Sequence, residues 1–183
     1  MVYLMNKYEE IEIGQSTEIK HIITEADIHK FTDLTGDDNR LHTDADFAAK
    51  TIFKTPIAHG MLGASFISTI IGTKLPGDGA LWFAQNLEFL LPVRVGDTLT
   101  IRAEVIKKEP RSQVIHLNTD ITNQHRQKVT KGFAKVKIVA QESESIKEKL
   151  SHHSKKFALV VGGSGGIGSA VSLALAAAGF DVA

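Results

Sequence analysis

The 183-residue sequence contains no cysteine. Its absence excludes disulfides, thiolate metal sites and a cysteine nucleophile, and it fits a reducing compartment, so we expect a cytoplasmic protein. Neither sign of charge predominates, because 21 Lys and Arg balance 21 Asp and Glu. A neutral chain lacks the electrostatic footprint of a protein that binds nucleic acid or an anionic membrane, and we expect neither partner.

Long hydrophobic runs are also scarce. The N-terminus has no basic start followed by a long apolar core, so no signal peptide is predicted. The uncharged stretch 158–180 is long enough to span a bilayer, but it contains six glycines, five of them between Gly162 and Gly168. Those glycines would weaken a helix, and a turn between a strand and a helix explains the cluster better.

The composition that is present indicates an ordinary globular protein, at 43% hydrophobic and 23% charged residues. It changes twice along the chain. We predict a first domain over residues 1–140, a polar linker over 141–156, and a short apolar segment over 157–183.

Hydrophobic patterning within the first domain predicts both helices and strands. Thr24 is a predicted N-cap, and Gly36 suits the C-terminal end of the same helix. The segment 59–73 is uncharged and apolar on nearly every side, which predicts a buried helix. Four later segments alternate apolar and polar residues, as strands with one buried face do; they are 83–91, 99–105, 115–121 and 135–138. Together these signals predict an α+β fold with an antiparallel sheet wrapped on the buried helix.

One predicted loop concentrates residues capable of chemistry. It runs from Gly36 to His42 and places the Asp37 carboxylate five residues before the His42 imidazole, with Asn39 between them. Such a pair can divide the work of general acid and general base on a molecule such as water. The alternative is that Asp37, Asp38 and Asn39 merely form a turn and that His42 is a surface residue.

A second feature lies at the start of the predicted buried helix, at His59 and Gly60. The first N–H groups of a helix have no internal partner, and a glycine lets a ligand approach the backbone closely. This end of the helix is therefore predicted to polarise a carbonyl oxygen. The alternative is that His59 caps or packs, and that Gly60 eases a helix crossing.

Residues 31–68, which contain both features, resemble the hydratase motif of the MaoC-like (R)-specific enoyl-CoA hydratases. Residues 75–77, 85–89 and 92–97 resemble the same family, so the similarity covers roughly 19–138. The resemblance implies a hot-dog fold, in which an antiparallel sheet wraps a long central helix, and a homodimer formed through the sheet edges. It also implies reversible hydration of trans-2-enoyl-CoA or acyl-carrier thioesters to (R)-3-hydroxyacyl thioesters, without a cofactor.

The resemblance assigns roles to five residues. Asp37 and His42 fall on the catalytic pair that holds and activates the water, and Asn39 falls on the residue that orients their loop. Gly60 falls on the backbone N–H that binds the thioester carbonyl. Ser68 falls on a residue that supports the histidine and water network, although a small residue packed in a helix explains it nearly as well.

One position departs from the family pattern, because Arg40 stands where the family usually has proline. The resemblance therefore leaves two expectations: either the loop is less rigid here, or Arg40 meets a phosphate of CoA or of the acyl carrier. The other histidines form no metal-ligand spacing such as H-E-x-x-H, so we predict no metal site.

Other functions remain compatible with this sequence. The close alternative is a 3-hydroxyacyl-ACP dehydratase of the same fold. More distant alternatives are a non-catalytic hot-dog module that binds acyl thioesters, and a thioesterase. The spacing of Asp37, Asn39 and His42 favours a hydratase over the last two.

The apolar segment 157–183 carries a separate signal. A predicted strand precedes a glycine-rich turn containing Gly162, Gly166 and Gly168, and an apolar helix follows from Ser169. This resembles the dinucleotide-binding start of a short-chain dehydrogenase/reductase, a Rossmann domain. One strand and one helix are too little for such a domain, so we expect a fragment of a hydratase–ketoacyl reductase fusion, with NAD(P) bound only in the longer parent.

Overall fold

The computed structural model describes residues 7–139, 156–158, 166–178 and 180–182. The chain divides into two compact units, Met1–Ala140 and Gln141–Ala183. The first unit contains five helices and five strands among its described residues: α1 (Lys7–Glu10), β1 (Ser16–Ile22), α2 (Glu25–Thr35), α3 (Arg40–Thr43), α4 (Ala45–Ala49), α5 (Gly60–Thr73), β2 (Ala80–Phe89), β3 (Thr98–Glu109), β4 (Val114–Thr122) and β5 (Lys128–Ile138).

The five strands form one antiparallel sheet in the order β1-β3-β4-β5-β2. Strands β3, β4 and β5 pair in the order of the sequence, and β1 and β2 are the two edge strands. The inward residues of β3 and β4 are fully buried, as in Leu99, Ile101, Leu117 and Ile121. This matches the alternation that predicted a sheet with one buried face.

Helix α5 lies against the buried face of the sheet. Its buried residues recur at helical spacing and include Leu62, Ile67, Ile70 and Ile71. Each isoleucine removed from water contributes roughly 1.5–3 kcal/mol, so the helix is held mainly by its packing. Its approach to β3 is close, since a Cβ on Gly63 would lie 3.6 Å from Leu99 Cδ1. The arrangement confirms the predicted α+β class and the hot-dog fold.

Helix α2 begins and ends where its caps were predicted. Thr24 accepts a hydrogen bond from the Asp27 N–H, the Asp27 side chain accepts one from the Thr24 N–H, and Gly36 closes the helix at φ 76°. Burial alone would raise the pKa of the Asp27 carboxyl, but hydrogen bonds from His21 and Thr24 outweigh it and lower that pKa. The cap thus fixes the start of the helix that leads into the loop 36–44.

The second unit contains β6 (Lys156–Ala158), α6 (Gly166–Ala177) and β7 (Phe180–Val182). The two short strands pair in parallel, with Lys156 opposite Phe180. The predicted strand matches β6 in part, but α6 begins three residues before the predicted Ser169, so Gly166 and Gly168 lie in a helix and not in a turn. Gly162 lies outside the described residues. Within the described ranges, every helix falls short of the length and apolarity needed to cross a membrane.

Candidate active site

The loop between α2 and α4 is built from side chains that bond their own backbone. Asn39 caps α3 by accepting a hydrogen bond from the Leu41 N–H at 3.0 Å. The Asn39 N–H donates to Asp37 Oδ1 at 3.3 Å. Asn39 therefore holds the turn between Asp37 and α3, and the loop-orienting role stays a prediction.

Arg40 reinforces the same loop. Its Nε and Nη2 both donate to Asp44 Oδ2, at 3.0 and 2.8 Å, and its guanidinium lies 4.6 Å from the centre of the Phe47 ring. Asp44 ends α3 and caps α4 by accepting from the Phe47 N–H, and this bond, followed by the one from Arg40, lowers the pKa of the Asp44 carboxyl. These contacts tie two short helices together, which favours a stiff loop over a less rigid one.

His42 stands on α3 with one ring nitrogen already bonded. Its Nδ1 lies 2.7 Å from the Ile57 carbonyl oxygen, and the Ile57 N–H donates to the Leu41 carbonyl at 3.1 Å. A carbonyl oxygen only accepts, so Nδ1 carries the proton. In the neutral ring, Nε2 is then a bare acceptor that can take a proton.

His59 immediately precedes α5 and is 3% exposed. It does not cap the helix through its side chain; its Nε2 lies 2.9 Å from the Asp37 carbonyl oxygen. Its ring centre is 3.8 Å from that of His42 and 4.9 Å from that of Phe31. Of the two minor roles considered for His59, the structure therefore shows packing and not capping.

The side chains of Asp37, His42 and His59 meet at one point. One ligand-type atom from each lies within 4.8 Å of the other two. The Asp37 side chain is 52% exposed, and its Oδ2 is 3.9 Å from His59 Nε2. A carboxylate and two imidazoles placed this close together can pass protons to and from a small bound molecule.

Gly60 is the first residue of α5 and lies beside this cluster. The N–H groups of a first helical turn lack internal partners and carry the positive end of the helix dipole. A Cβ at Gly60 would approach the Phe89 ring to 2.8 Å, so glycine is what allows the close approach here. The position predicted for a carbonyl-binding N–H is therefore at a helix start, next to both imidazoles.

These groups open into a cavity of about 580 Å³ whose walls are mostly apolar. A cavity of this size with a few converging polar groups is typical of a small-molecule site. Besides Asp37, His42, His59 and Gly60, its lining includes Phe31, Phe53, Met61, Phe89, Leu90, Leu91, Pro92, Val93, Leu99, Ile121 and Val129.

Two predicted site residues of the first unit do not line the cavity: Asn39, which holds the loop beside it, and Ser68. Ser68 is exposed on α5, eight residues beyond Gly60. Eight residues of α-helix advance about 12 Å and turn about 80° off the starting face, so Ser68 is displaced along the helix and around it. His59 belongs to the cluster although the sequence predicts no catalytic role for it, and it stands next to Gly60 in the same motif.

The MaoC like domain matches residues 8–127, a range that contains the whole cluster and the first turn of α5. The chain therefore belongs to the family of MaoC-like hot-dog proteins. The match ends before the second unit, and the reductase interpretation of Gly162, Gly166 and Gly168 stays a prediction from the sequence pattern.

Three relatives illustrate the similarity. The (R)-specific enoyl-CoA hydratase of Rhodospirillum rubrum is 43% identical over 119 residues, which cover 65% of this chain and 83% of the relative. The (R)-specific enoyl-CoA hydratase of Aeromonas caviae is 38% identical over 130 residues, covering 71% and 97%. The solved structure of the unliganded R-hydratase PhaJ1 from Pseudomonas aeruginosa matches with a TM-score of 0.69 at 40% identity, covering 73% of this chain and 86% of that one.

Proposed function

We propose that this protein is a hydro-lyase that adds water to trans-2-enoyl-CoA, or to the corresponding acyl-carrier thioester, and forms the (R)-3-hydroxyacyl thioester. The observation that carries the proposal is the meeting of Asp37, His42 and the start of α5 at one apolar cavity. The similarity to two (R)-specific hydratases supports both the reaction and its stereochemistry.

In this proposal the thioester carbonyl binds to the Gly60 N–H. Negative charge grows on that oxygen as water attacks C3 of the enoyl group, and the N–H and the helix dipole stabilise this charge. The acyl chain lies along the apolar wall, where Phe31 and Val129 are among the lining residues. Because the donor belongs to the backbone of a buried helix, it needs no rearrangement during the reaction.

Asp37 and His42 handle the protons as a coupled pair. One O–H bond of water breaks, a C3–O bond and a C2–H bond form, and the C2=C3 π bond is lost. One member of the pair accepts the proton from water and the other delivers a proton to C2, so the pair ends with the same number of protons. The free Nε2 of His42 is suited to either role, because its Nδ1 stays bonded to Ile57 in both charge states. No cofactor takes part in these steps.

The test is loss of the enoyl-thioester absorbance with a short-chain trans-2-enoyl-CoA, followed by chiral analysis of the product. We predict that Asp37→Asn lowers kcat on the order of 10²-fold and changes KM much less, because it removes a group that transfers protons and keeps the shape of the side chain. Asp38→Asn is the matched control, since it neutralises the neighbouring carboxylate of the same loop.

Near-wild-type turnover of the Asp37→Asn variant would remove Asp37 from the catalytic pair. A mainly (S) product would refute the stereochemistry. If the wild-type protein does not turn over the substrate, the remaining alternative is a non-catalytic module that binds acyl thioesters. Turnover of the carrier-protein thioester alone would favour the dehydratase of acyl-carrier substrates, whose reaction is the same chemistry in reverse.

We also propose that the protein is a homodimer joined along β2. In the part of the chain that the structure describes, β2 is an outer strand with no neighbour on its far side. Leu81 and Phe83 on this strand are 51% and 54% exposed. An open edge with exposed apolar side chains is a template for pairing, and a second copy would cover both.

A further inference from the structure

We propose that His59 is a positioning residue, which holds the Asp37 main chain and the His42 ring at a fixed separation. The inference rests on the proposed function, because it concerns the two groups that handle protons there. The buried imidazole of His59 contacts both Asp37 and His42, and the catalytic steps described above give it no role.

The first contact fixes the backbone of Asp37. The Asp37 carbonyl oxygen can only accept, so His59 Nε2 carries the proton and donates it over 2.9 Å. The bond joins two residues 22 positions apart, and it anchors the catalytic loop to the residue that precedes α5. Any movement of this carbonyl would carry the attached Asp37 side chain with it.

The second contact fixes the ring of His42. The two imidazoles lie 3.8 Å apart with a 35° angle between their planes, and Phe31 contacts His59 as well. His42 is already held by the Ile57 carbonyl, two residues before His59. The same short segment therefore positions His42 by a hydrogen bond and by a ring contact.

Burial of His59 is not explained by stability alone. With the proton on Nε2, its Nδ1 is an acceptor in the neutral ring, and among the described residues it has no hydrogen-bond partner. A buried polar atom without a partner destabilises a fold, and an apolar ring of the same shape would avoid that cost. The Nε2–H bond to Asp37 is what distinguishes histidine from phenylalanine here.

Two variants separate the bond from the ring. His59→Phe keeps a ring and removes the donor, whereas the amide of His59→Gln can place an N–H near the position of Nε2. We expect His59→Phe to lower kcat about tenfold, with KM changed less than about twofold, because positioning acts on the chemical step. We expect His59→Gln to retain at least about three times the kcat of His59→Phe, because it restores the donor. His125→Phe and His125→Gln, on an exposed histidine of the β4–β5 turn, are the matched controls.

A second readout does not depend on activity. The ¹³C shift of the Asp37 carbonyl reports its hydrogen bond, and we expect it to move in His59→Phe and to stay near the wild-type value in His59→Gln. The pH profile of kcat should keep its shape in both variants and only fall in height, because a positioning residue exchanges no proton in the reaction.

Wild-type kcat in a folded His59→Phe enzyme would overturn the inference. Equal losses in the two variants would also overturn it, since the ring alone would then matter, and loss of one limb of the pH profile would make His59 a proton carrier instead. A wild-type protein that fails to hydrate enoyl thioesters would refute the proposed function, and the carbonyl shift would still decide whether His59 holds Asp37.

Discussion

Two backbone carbonyls determine where the protons lie in the cluster of imidazoles. The Ile57 carbonyl keeps a proton on His42 Nδ1, and the Asp37 carbonyl keeps one on His59 Nε2. His42 therefore presents Nε2 to the cavity, while the proton-bearing nitrogen of His59 is already bonded. Two histidines in ring contact thus carry their protons on different nitrogens, because each faces a different peptide group.

His42 can be tested for its two roles separately. The amide of His42→Asn can reach the Ile57 carbonyl as Nδ1 does but offers nothing in place of Nε2, whereas His42→Ala loses both. We expect both variants to lower kcat on the order of 10²-fold, and His42→Asn to unfold at a higher temperature than His42→Ala. Steady-state kinetics and thermal melts measure the two effects, and near-wild-type kcat in either variant would exclude His42 as a proton carrier.

Asp37, His42 and Gly60, which the sequence predicts as site residues, lie at one cavity together with His59, for which no such role is predicted. Asp37, His42 and Gly60 follow from motif and resemblance, since their roles depend on residue type and spacing. The contact of His59 is not predictable from the sequence, because it is a bond to a carbonyl 22 residues earlier and backbone acceptors have no signature in sequence. Ser68 was included on resemblance, and its role stays a prediction that the cavity of one chain does not support.

At the scale of elements, α5 serves both the core and the site. Ile67, Ile70 and Ile71 pack against the sheet, and this packing fixes the helix whose first residue, Gly60, carries the N–H. Its burial was predictable from an uncharged, apolar segment, and so was the alternation of the strands. The register was not predictable in the same way, because bulges between Trp82 and Ala84, and between Val105 and Lys107, depend on tertiary pairing.

The far end of the β3–β4 hairpin makes stability depend on pH. Hydrogen bonds from Lys107 and then His116 lower the pKa of the Glu109 carboxyl to about 2. A lowered pKa stabilises the fold fully above the unfolded value of about 4.3, and this contribution is lost as the pH falls from there to about 2. The side chain is 37% exposed, so solvent screening keeps the effect small.

We therefore predict that Glu109→Gln flattens the fall in unfolding free energy between about pH 4.3 and 2, because the glutamine does not titrate. Urea melts at several pH values measure it. Glu88→Gln is the control, since its pair with Lys131 is longer, at 3.6 Å, and more exposed. An unchanged pH slope in Glu109→Gln would show that the ion pairs do not form in solution.

At the scale of the whole molecule, the unpaired edge of β2 suits pairing with a second copy of the chain. We predict sedimentation as a dimer of about 40 kDa at micromolar concentration, given a chain mass of 19.9 kDa. Phe83→Asp should shift the equilibrium toward monomer, because a charge on the edge opposes pairing. Leu34→Asp, at an 84% exposed position on α2, should leave it unchanged. A wild-type monomer would contradict the proposal.

The second unit is predicted to be dispensable for hydration. The cavity and its cluster are formed by residues before 140, and the family match ends at 127. A protein ending at Ala140 should keep its kcat and its oligomeric state. The full chain should show no measurable affinity for NAD(H) or NADP(H) by calorimetry, because one glycine-rich segment and one helix cannot enclose both ends of a dinucleotide. If the shortened protein folds but loses its activity, the second unit must contribute to the active site.

The bond between His42 and the Ile57 carbonyl has a consequence for the direction of flux. Because it persists whether His42 is charged or neutral, the His42 ring keeps one position in both directions of the reaction. Hydration and dehydration share one transition state, and the Haldane relation ties the ratio of their kcat/KM values to the equilibrium constant in solution. A substitution that moves this ring must therefore lower kcat/KM for hydration and for dehydration by the same factor, and the thioester concentrations decide the direction of net reaction.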